Sequence, residues 1–301
     1  MAMVIESVGV VEGRGRRGRS ARKLADAAAD VALARAGLTA GDIDLLLNAG
    51  LYHDRNLGEP ALAALIQEDI GANPEDPYEG GHGTFSFDVA NGSCGMLTGM
   101  QVADGFLRAG TIRHALVVAS DADPGRHMAP DFPFAGAGAA VVCGWRDGSE
   151  GIAAFRFAVR ADPADDPDAA DGLAEGLRAT VAFERGHNAL TIEQAPGFDA
   201  TAGAWAGEVA TTLLADLGVT ASEIDVIVAN PLTTTFLDAL ASRLDVPPER
   251  VGTAVDGRRV HTAGLGMALD AATFGRGLDG RTALLVSAGA GPTAGAALVR
   301  K

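Results

Sequence analysis

The sequence has few aromatic residues, only two cysteines and no long apolar run. Aromatic residues make up 5% of its 301 residues, although 48% are hydrophobic. No apolar run reaches the ~20 residues that a membrane-spanning helix needs, so we expect no membrane span. The first residues lead into an arginine-rich stretch without the apolar core of a signal peptide, which predicts a cytoplasmic location. Two thiols form at most one disulfide, and neither has a spacing typical of a metal site.

Basic residues are also in the minority. There are 24 lysines and arginines against 39 aspartates and glutamates, which gives a net charge of −15. A surface of this sign repels nucleic-acid phosphates and anionic lipids, so we expect neither as a partner. No glycine-rich phosphate-binding loop follows a predicted strand, which argues against nucleotide redox or phosphoryl chemistry.

The sequence contains an internal repeat. LARAGLTAGDIDLL at 33–46 and LADLGVTASEIDVI at 214–227 share seven of fourteen residues. Two more pairs follow in the same order, 113–120 with 281–287 and 136–142 with 293–299. A length of 301 residues allows two units of about 150. We therefore predict an α/β protein of two duplicated halves, residues 1–148 and 149–301.

Each half alternates apolar strands with amphipathic helices, a pattern typical of sheets covered by helices. We expect equivalent strands at 43–48 and 224–230, and helices at 20–36, 96–109 and 200–217. The acidic, proline-containing segment 161–170 is predicted to be a solvated loop, and residues 185–198 a second loop.

A cysteine begins one of these helices. Residues 85–89 are predicted as a strand, followed by a tight turn and by Cys94 before a helix at 95–109. The positive end of a helix dipole stabilises a thiolate, which is the nucleophilic form. Cys94 is therefore a candidate nucleophile, and the alternative is a core cysteine that precedes a helix. Cys143 lies in an apolar strand, where a buried thiol without chemistry is expected.

The sequence FDVANGSCG at 87–95, with its continuation to residue 121, resembles the active-cysteine region of ketoacyl synthase III enzymes in the thiolase superfamily. SAGAGPTAGAALVR at 287–300 resembles their closing glycine-rich loop and last strand. The resemblance covers about residues 80–145 and 205–301. It implies a five-layer α-β-α-β-α thiolase-like fold and a homodimer.

The resemblance also implies an acyltransferase without a permanently bound cofactor. Cys94 would take an acyl group from a thioester of coenzyme A or of the phosphopantetheine of an acyl carrier protein, and pass it to an acceptor. The backbone N–H groups of Cys94 and of the loop that contains Gly291 would form the oxyanion hole, because tetrahedral intermediates need preorganised donors. The alternative function is a catalytically weak partner subunit of another ketosynthase.

The sequence departs from the family at two catalytic positions. The family has a histidine after the strand that matches 224–228 and an asparagine at the start of a later helix, and together they polarise a thioester during decarboxylation. Here Asn230 stands at the first position, and His261 lies near the second, across a length difference. We expect a swapped pair in which His261 is the general base. In the alternative, His261 is a buried or capping residue and Asn230 only ends a strand.

A cluster of basic residues stands near the segment that binds coenzyme A in the family. Six cations occur between residues 14 and 23, and Arg16 and Arg17 are the candidates for contact with the phosphates of coenzyme A or with a carrier protein. A solvated loop is the alternative.

Overall fold

The computed structural model of the chain describes residues 1–14, 20–53, 61–73, 83–160, 177–184, 186–231, 233–252, 259–273, 278, 280–289 and 293–300. The strands in these ranges are β1 Ala2–Glu12, β2 Leu45–Asn48, β3 Phe85–Asp88, β4 His114–Asp121, β5 Ala137–Arg146, β6 Gly151–Val159, β7 Leu177–Glu184, β8 His187–Gln194, β9 Val226–Asn230, β10 Ala283–Gly289 and β11 Thr293–Arg300. The helices are α1 Ala21–Ala36, α2 Leu62–Ile70, α3 Gly95–Arg108, α4 Phe198–Asp216, α5 Thr234–Leu244 and α6 Gly264–Thr273.

Two mixed sheets repeat one strand arrangement. The first sheet has the order β1-β5-β4-β2-β3 and the second β6-β11-β10-β9. In the first, β4 is parallel to β2 and antiparallel to β5, which pairs antiparallel with β1. In the second, β10 is parallel to β9 and antiparallel to β11, which pairs antiparallel with β6. The predicted duplication is confirmed, and β2 and β9 occupy equivalent places.

The register of the paired strands agrees with the sequence repeat. Leu45 of β2 is opposite Ala115 of β4, and Val226 of β9 is opposite Ala283 of β10. The sequence repeat aligns Leu45 with Val226 and Ala115 with Ala283. The equivalence therefore extends to individual residue pairs.

The turn before each of these strands is also repeated. Thr39 Oγ1 donates to Asp42 Oδ2 at 2.7 Å, and Thr220 Oγ1 donates to Glu223 Oε2 at 2.7 Å. Each pair forms a capping box around a turn of 3-10 helix, which satisfies backbone donors that would otherwise lack partners. The same local chemistry therefore leads the chain into β2 and into β9.

The helices and sheets form five layers, as the resemblance implies. Alternate side chains of a strand point to opposite faces of its sheet. Helices α1 and α2 cover the outer face of the first sheet, which presents Leu46 and Leu116. Helices α3 and α6 lie between the sheets and pack on Leu45 and Leu285. Helices α4 and α5 cover the outer face of the second sheet.

One sequence prediction about the connections is wrong. The sequence predicts a loop at residues 185–198, but in the structure β8 pairs antiparallel with β7 along residues 177–194. Leu190 of β8 is buried against Tyr52 and Phe134, and its N–H donates to the Met128 carbonyl at 2.6 Å. This apolar contact and this backbone bond attach the hairpin to the first half.

The predicted boundary between the halves at residue 148 lies in the turn between β5 and β6, and the division into two domains remains a prediction. The predicted acidic loop at 161–170 lies outside the described residues. Among the described helices, none is long and apolar enough to cross a membrane.

Candidate active site

The turn at residues 91–94 connects β3 to α3, as predicted. One turn of 3-10 helix, Gly92–Cys94, precedes α3. Gly92 has a φ of 48°, in the left-handed region that glycine enters without strain. The Asn91 carbonyl accepts the Cys94 N–H at 2.9 Å, and the Asn91 side chain donates to Thr98 Oγ1 at 2.9 Å. These bonds attach the 91–94 turn to the start of α3.

Cys94 stands directly before α3, but its thiol is fully buried against the second sheet. Its Sγ lies 3.5 Å from the Thr293 carbonyl oxygen at the start of β11. Burial raises the pKa of Cys94 to about 12, and a backbone hydrogen bond with Gly295 offsets only part of this rise. Desolvation of the buried thiol therefore opposes the thiolate that the helix terminus is predicted to stabilise. That Cys94 is acylated remains a prediction.

Asn230 is the last residue of β9 and is fully buried between the 91–94 turn and the segment that contains His261. Its Nδ2 donates to the Ser93 carbonyl at 2.9 Å and to the His261 carbonyl at 3.1 Å. A Cβ at Gly264 would lie 2.0 Å from Asn230 Oδ1, so only glycine allows this approach at the start of α6. The amide therefore holds the 91–94 turn and the His261 segment together.

His261 is buried and faces a carboxylate on one side and the 91–94 turn on the other. Its Nδ1 lies 3.6 Å from Asp121 Oδ2. On the opposite edge of the ring, Nε2 lies 3.7 Å from the position of a Cβ at Gly92. The ring stacks on Phe134, with centroids 4.6 Å apart, and packs at a tilt on Tyr52 at 5.1 Å. This packing restricts the imidazole to one orientation between the two polar neighbours.

Asp121, at the end of β4, is the residue that the sequence reasoning missed. It is buried, and its oxygens accept the Tyr52 N–H at 2.8 Å, the Thr262 N–H at 2.8 Å and the Thr262 hydroxyl at 2.6 Å. Burial acts to raise the pKa of Asp121, but His261 and these hydrogen bonds outweigh it and lower the pKa to about 2. Asp121 is therefore a fixed anion beside the imidazole.

The signal for Asp121 was present in the sequence. It is the last residue of the segment that resembles the family, and it ends β4, a strand that lies parallel to its neighbour β2. Ligand sites of such sheets gather at the carboxyl ends of parallel strands. Its partner His261 is 140 positions away, so the pairing itself had no local signal.

A small cavity lies against His261 and the 91–94 turn. Its volume is about 20 Å³, roughly the space of one water molecule. The residues that line it are Ser93, Phe134, Leu177, Phe198, Asp199, Pro231, Thr233, Arg259, Val260, His261 and Gly289. Of the two neighbours in the turn, Ser93 lines this cavity and Cys94 does not.

Gly289, the last residue of β10, approaches the same turn. The position of a Cβ at Gly289 lies 3.3 Å from the Ser93 nitrogen, so the absent side chain leaves space beside that backbone donor. The Cys94 N–H, a predicted oxyanion donor, donates to the Asn91 carbonyl. Gly291, the other predicted donor, lies outside the described residues.

The predicted coenzyme A contacts are likewise untested, because Arg16 and Arg17 lie outside the described residues. Two other cations of the same cluster have acidic partners: Arg14 bonds Glu12 at 3.1 Å, and Arg22 bonds Asp69.

Among the described residues, no group of three or more potential ligands could hold a metal ion.

Comparison with known proteins identifies the family. The 3-oxoacyl-[acyl-carrier-protein (ACP)] synthase III family matches residues 87–163, and its C-terminal counterpart matches residues 214–301. The beta-ketoacyl-[acyl-carrier-protein] synthase III of Rhodospirillum rubrum is 30% identical over 301 residues, which cover 94% of this chain and 85% of that protein. This chain belongs to the 3-oxoacyl-ACP synthase III family. It is an acyltransferase of the ketoacyl synthase III type.

Solved structures agree on the fold of this synthase III family member. The 3-oxoacyl-(acyl carrier protein) synthase III of Pseudomonas aeruginosa superposes with a TM-score of 0.79 at 22% identity, over 100% of this chain and 98% of that one. The priming beta-ketosynthase of the R1128 polyketide biosynthetic pathway superposes with a TM-score of 0.77 at 20% identity, over 99% and 96%. The thiolase-like fold predicted from the resemblance is confirmed.

Proposed function

We propose that this synthase III family member moves an acyl group from a thioester of coenzyme A or an acyl carrier protein, through a covalent acyl-enzyme on the 91–94 turn, to a nucleophilic acceptor. His261 is the general base, Asp121 orients it, and Asn230 positions both segments. The named relatives are acyl-carrier-protein synthases, which supports a thioester donor.

The observation that carries this proposal is the line of groups from Asp121 through His261 to the turn. Asp121 Oδ2 lies 3.6 Å from Nδ1, slightly beyond hydrogen-bond distance, and a carboxylate on this side favours a proton on Nδ1 and a lone pair on Nε2. Here Nε2 lies on the side of Gly92. A base in this position removes a proton from a nucleophile of the turn and later from the acceptor, which typically contributes 10²–10⁴-fold to the rate.

The geometry favours transfer without decarboxylation. An asparagine amide has two N–H donors, and both donors of Asn230 are directed to backbone carbonyls, of Ser93 and of His261. The amide therefore has no donor left to polarise the thioester carbonyl of a malonyl group. An acceptor hydroxyl or amine needs only a base, and His261 supplies it.

Intact-protein mass spectrometry tests this function. The protein is incubated with acetyl-, butyryl-, hexanoyl-, octanoyl- and malonyl-coenzyme A, and we expect one covalent acyl group per chain together with release of coenzyme A. His261→Ala should slow this release by about 10²–10⁴-fold, because the proton acceptor is lost.

His114→Ala is the matched control, since His114 also lies near a carboxylate, with its Nε2 3.8 Å from Glu6, but on the strand end opposite Asp121. It should leave the release rate unchanged. Absence of any acyl adduct across the panel, or equal rates for His261→Ala and wild type, would contradict the proposed function.

A further inference from the structure

The 91–94 turn contains two side chains that are chemically able to carry an acyl group, the hydroxyl of Ser93 and the thiol of Cys94. The turn is a 3-10 helix, in which three residues complete one turn, so adjacent side chains diverge by about 120°. Ser93 and Cys94 therefore cannot both face the same cavity. The structure shows which of them does.

Cys94 faces the interior of the protein. Its side chain is completely buried, and its Sγ lies 3.5 Å from the Thr293 carbonyl oxygen. The backbone of Gly295 also forms a hydrogen bond with the thiol. These contacts are with β11, the strand next to β10 in the second sheet. In the described part of the chain, this sulfur therefore faces β11 and does not line the cavity beside His261.

Ser93 faces the site. It lines the cavity together with His261 and Gly289. Its carbonyl is held by Asn230 at 2.9 Å, and the space left by the missing side chain of Gly289 lies 3.3 Å from its nitrogen. Ser93 is itself buried, with 4% of its surface exposed, but it is held on one side by Asn230 and borders the small cavity on the side of Gly289.

His261 is a base of the kind that a hydroxyl nucleophile needs. A serine hydroxyl is a weak nucleophile until an adjacent base removes its proton, and that base must be oriented by a third group. His261 has this arrangement, with Asp121 3.6 Å from Nδ1 and with Nε2 toward the residue that precedes Ser93. A serine, a histidine and an aspartate thus come together from three distant parts of the chain.

We infer that the hydroxyl of Ser93, and not the thiol of Cys94, receives the acyl group. This inference rests on the proposed function, because it assigns the residue that forms the acyl-enzyme. It identifies the intermediate as an oxygen ester, whereas the sequence resemblance implied a thioester of Cys94.

The proposed steps balance. His261 Nε2 takes the Ser93 hydroxyl proton while Oγ attacks the thioester carbon, and the tetrahedral intermediate collapses with cleavage of the carbon–sulfur bond. The leaving thiolate takes the proton from His261, which gives free thiol and an ester at Ser93. An acceptor hydroxyl or amine then gives its proton to His261 and attacks the ester, and the departing Ser93 oxygen recovers that proton.

Peptide mapping of the acylated protein tests the inference. The wild type, Ser93→Ala, Cys94→Ala and Ser93→Cys are acylated with the most reactive coenzyme A thioester of the panel and digested, and the adduct is located by fragmentation. Half of each sample is first treated with neutral hydroxylamine, which cleaves thioesters and leaves oxygen esters of serine intact. Thermal unfolding confirms that each variant is folded.

We expect a hydroxylamine-stable adduct on Ser93 in the wild type and in Cys94→Ala, and none in Ser93→Ala. Ser93→Cys should carry a hydroxylamine-labile adduct at the same position. A labile adduct on Cys94 in the wild type, or an adduct that persists in Ser93→Ala and disappears in Cys94→Ala, would overturn the inference while leaving acyl transfer intact. No adduct in the wild type would overturn the proposed function itself.

Discussion

At the residue scale, the direction of a side chain decides the chemistry more than its type does. The sequence places Cys94 correctly at the start of α3, and the glycines around it indicate a tight turn. Its accessibility depends on a rotation of about 120° per residue within a 3-10 turn, so an error of one residue exchanges Ser93 for Cys94. That rotation is set by packing against Thr293, about two hundred positions later in the chain, and local sequence does not contain it.

A testable prediction at the residue scale concerns Asp121. Asp121→Asn removes the charge that fixes the imidazole, so we expect the first-turnover release of coenzyme A to slow by about 10²-fold or more. Stopped-flow detection of the released thiol measures it. Asp44→Asn is the matched control, because Asp44 also accepts backbone N–H groups at a strand end, from Arg113 and His114, but away from His261.

The same substitution has a pH signature. The folded-state pKa of Asp121 is about 2, below its ordinary value of 3.8, so its contribution to stability is present above pH ~4 and is lost as the pH falls through 2. The difference in unfolding free energy between wild type and Asp121→Asn should therefore shrink on acidification. Equal release rates for Asp121→Asn and Asp44→Asn would contradict the orienting role.

At the element scale, the repeat in the sequence was sufficient to predict which strands and turns are equivalent. It was sufficient because capping boxes and apolar runs are local signals, and both copies retain them at Thr39 and Thr220. The β7–β8 hairpin was missed because its attachment to the first half is a long-range contact, made by Leu190 with Tyr52 and Phe134. The polar residues of segment 185–198, taken alone, are typical of a loop.

A second feature at this scale is a carboxyl pair between α1 and α2. Burial raises the pKa of Asp26 to about 7, with a further contribution from its hydrogen bond to Asp69, which in turn bonds Arg22. A raised folded-state pKa gives stability that is fully present below the unfolded value of 3.8 and is lost as the pH rises through about 7. The ionised form of Asp26 therefore opposes the packing of the two helices.

Asp26→Asn should consequently become more stable relative to wild type as the pH rises from 4 to 8, because the amide does not ionise. Urea unfolding at several pH values measures the difference. Asp69→Asn is the contrasting variant: the bond with Arg22 holds the pKa of Asp69 below its ordinary value, so its loss should destabilise the protein at neutral pH. A pH-independent effect of Asp26→Asn would show that its carboxyl is not buried against Asp69.

At the scale of the whole molecule, the duplication brings residues of both halves together at the proposed active site. Ser93 and Asp121 come from the first half, and Asn230, His261 and Gly289 come from the second. The resemblance predicted that Asn230 and His261 lie together, and the structure places the Asn230 amide on the His261 carbonyl. The sequence did not predict that the Asn230 amide bonds the backbone of both segments, or that an aspartate of the other half lies beside the histidine.

We propose that Ser93 and His261 act as one unit, and a double-mutant cycle on the first turnover measures the coupling between them. Release of coenzyme A is measured with enzyme in excess for wild type, Ser93→Ala, His261→Ala and the double variant. Residues that act as a unit give strongly non-additive losses. We expect the double variant to be no slower than the slower single variant. A double-variant loss equal to the product of the two single losses would show that the residues act independently, and would contradict the account.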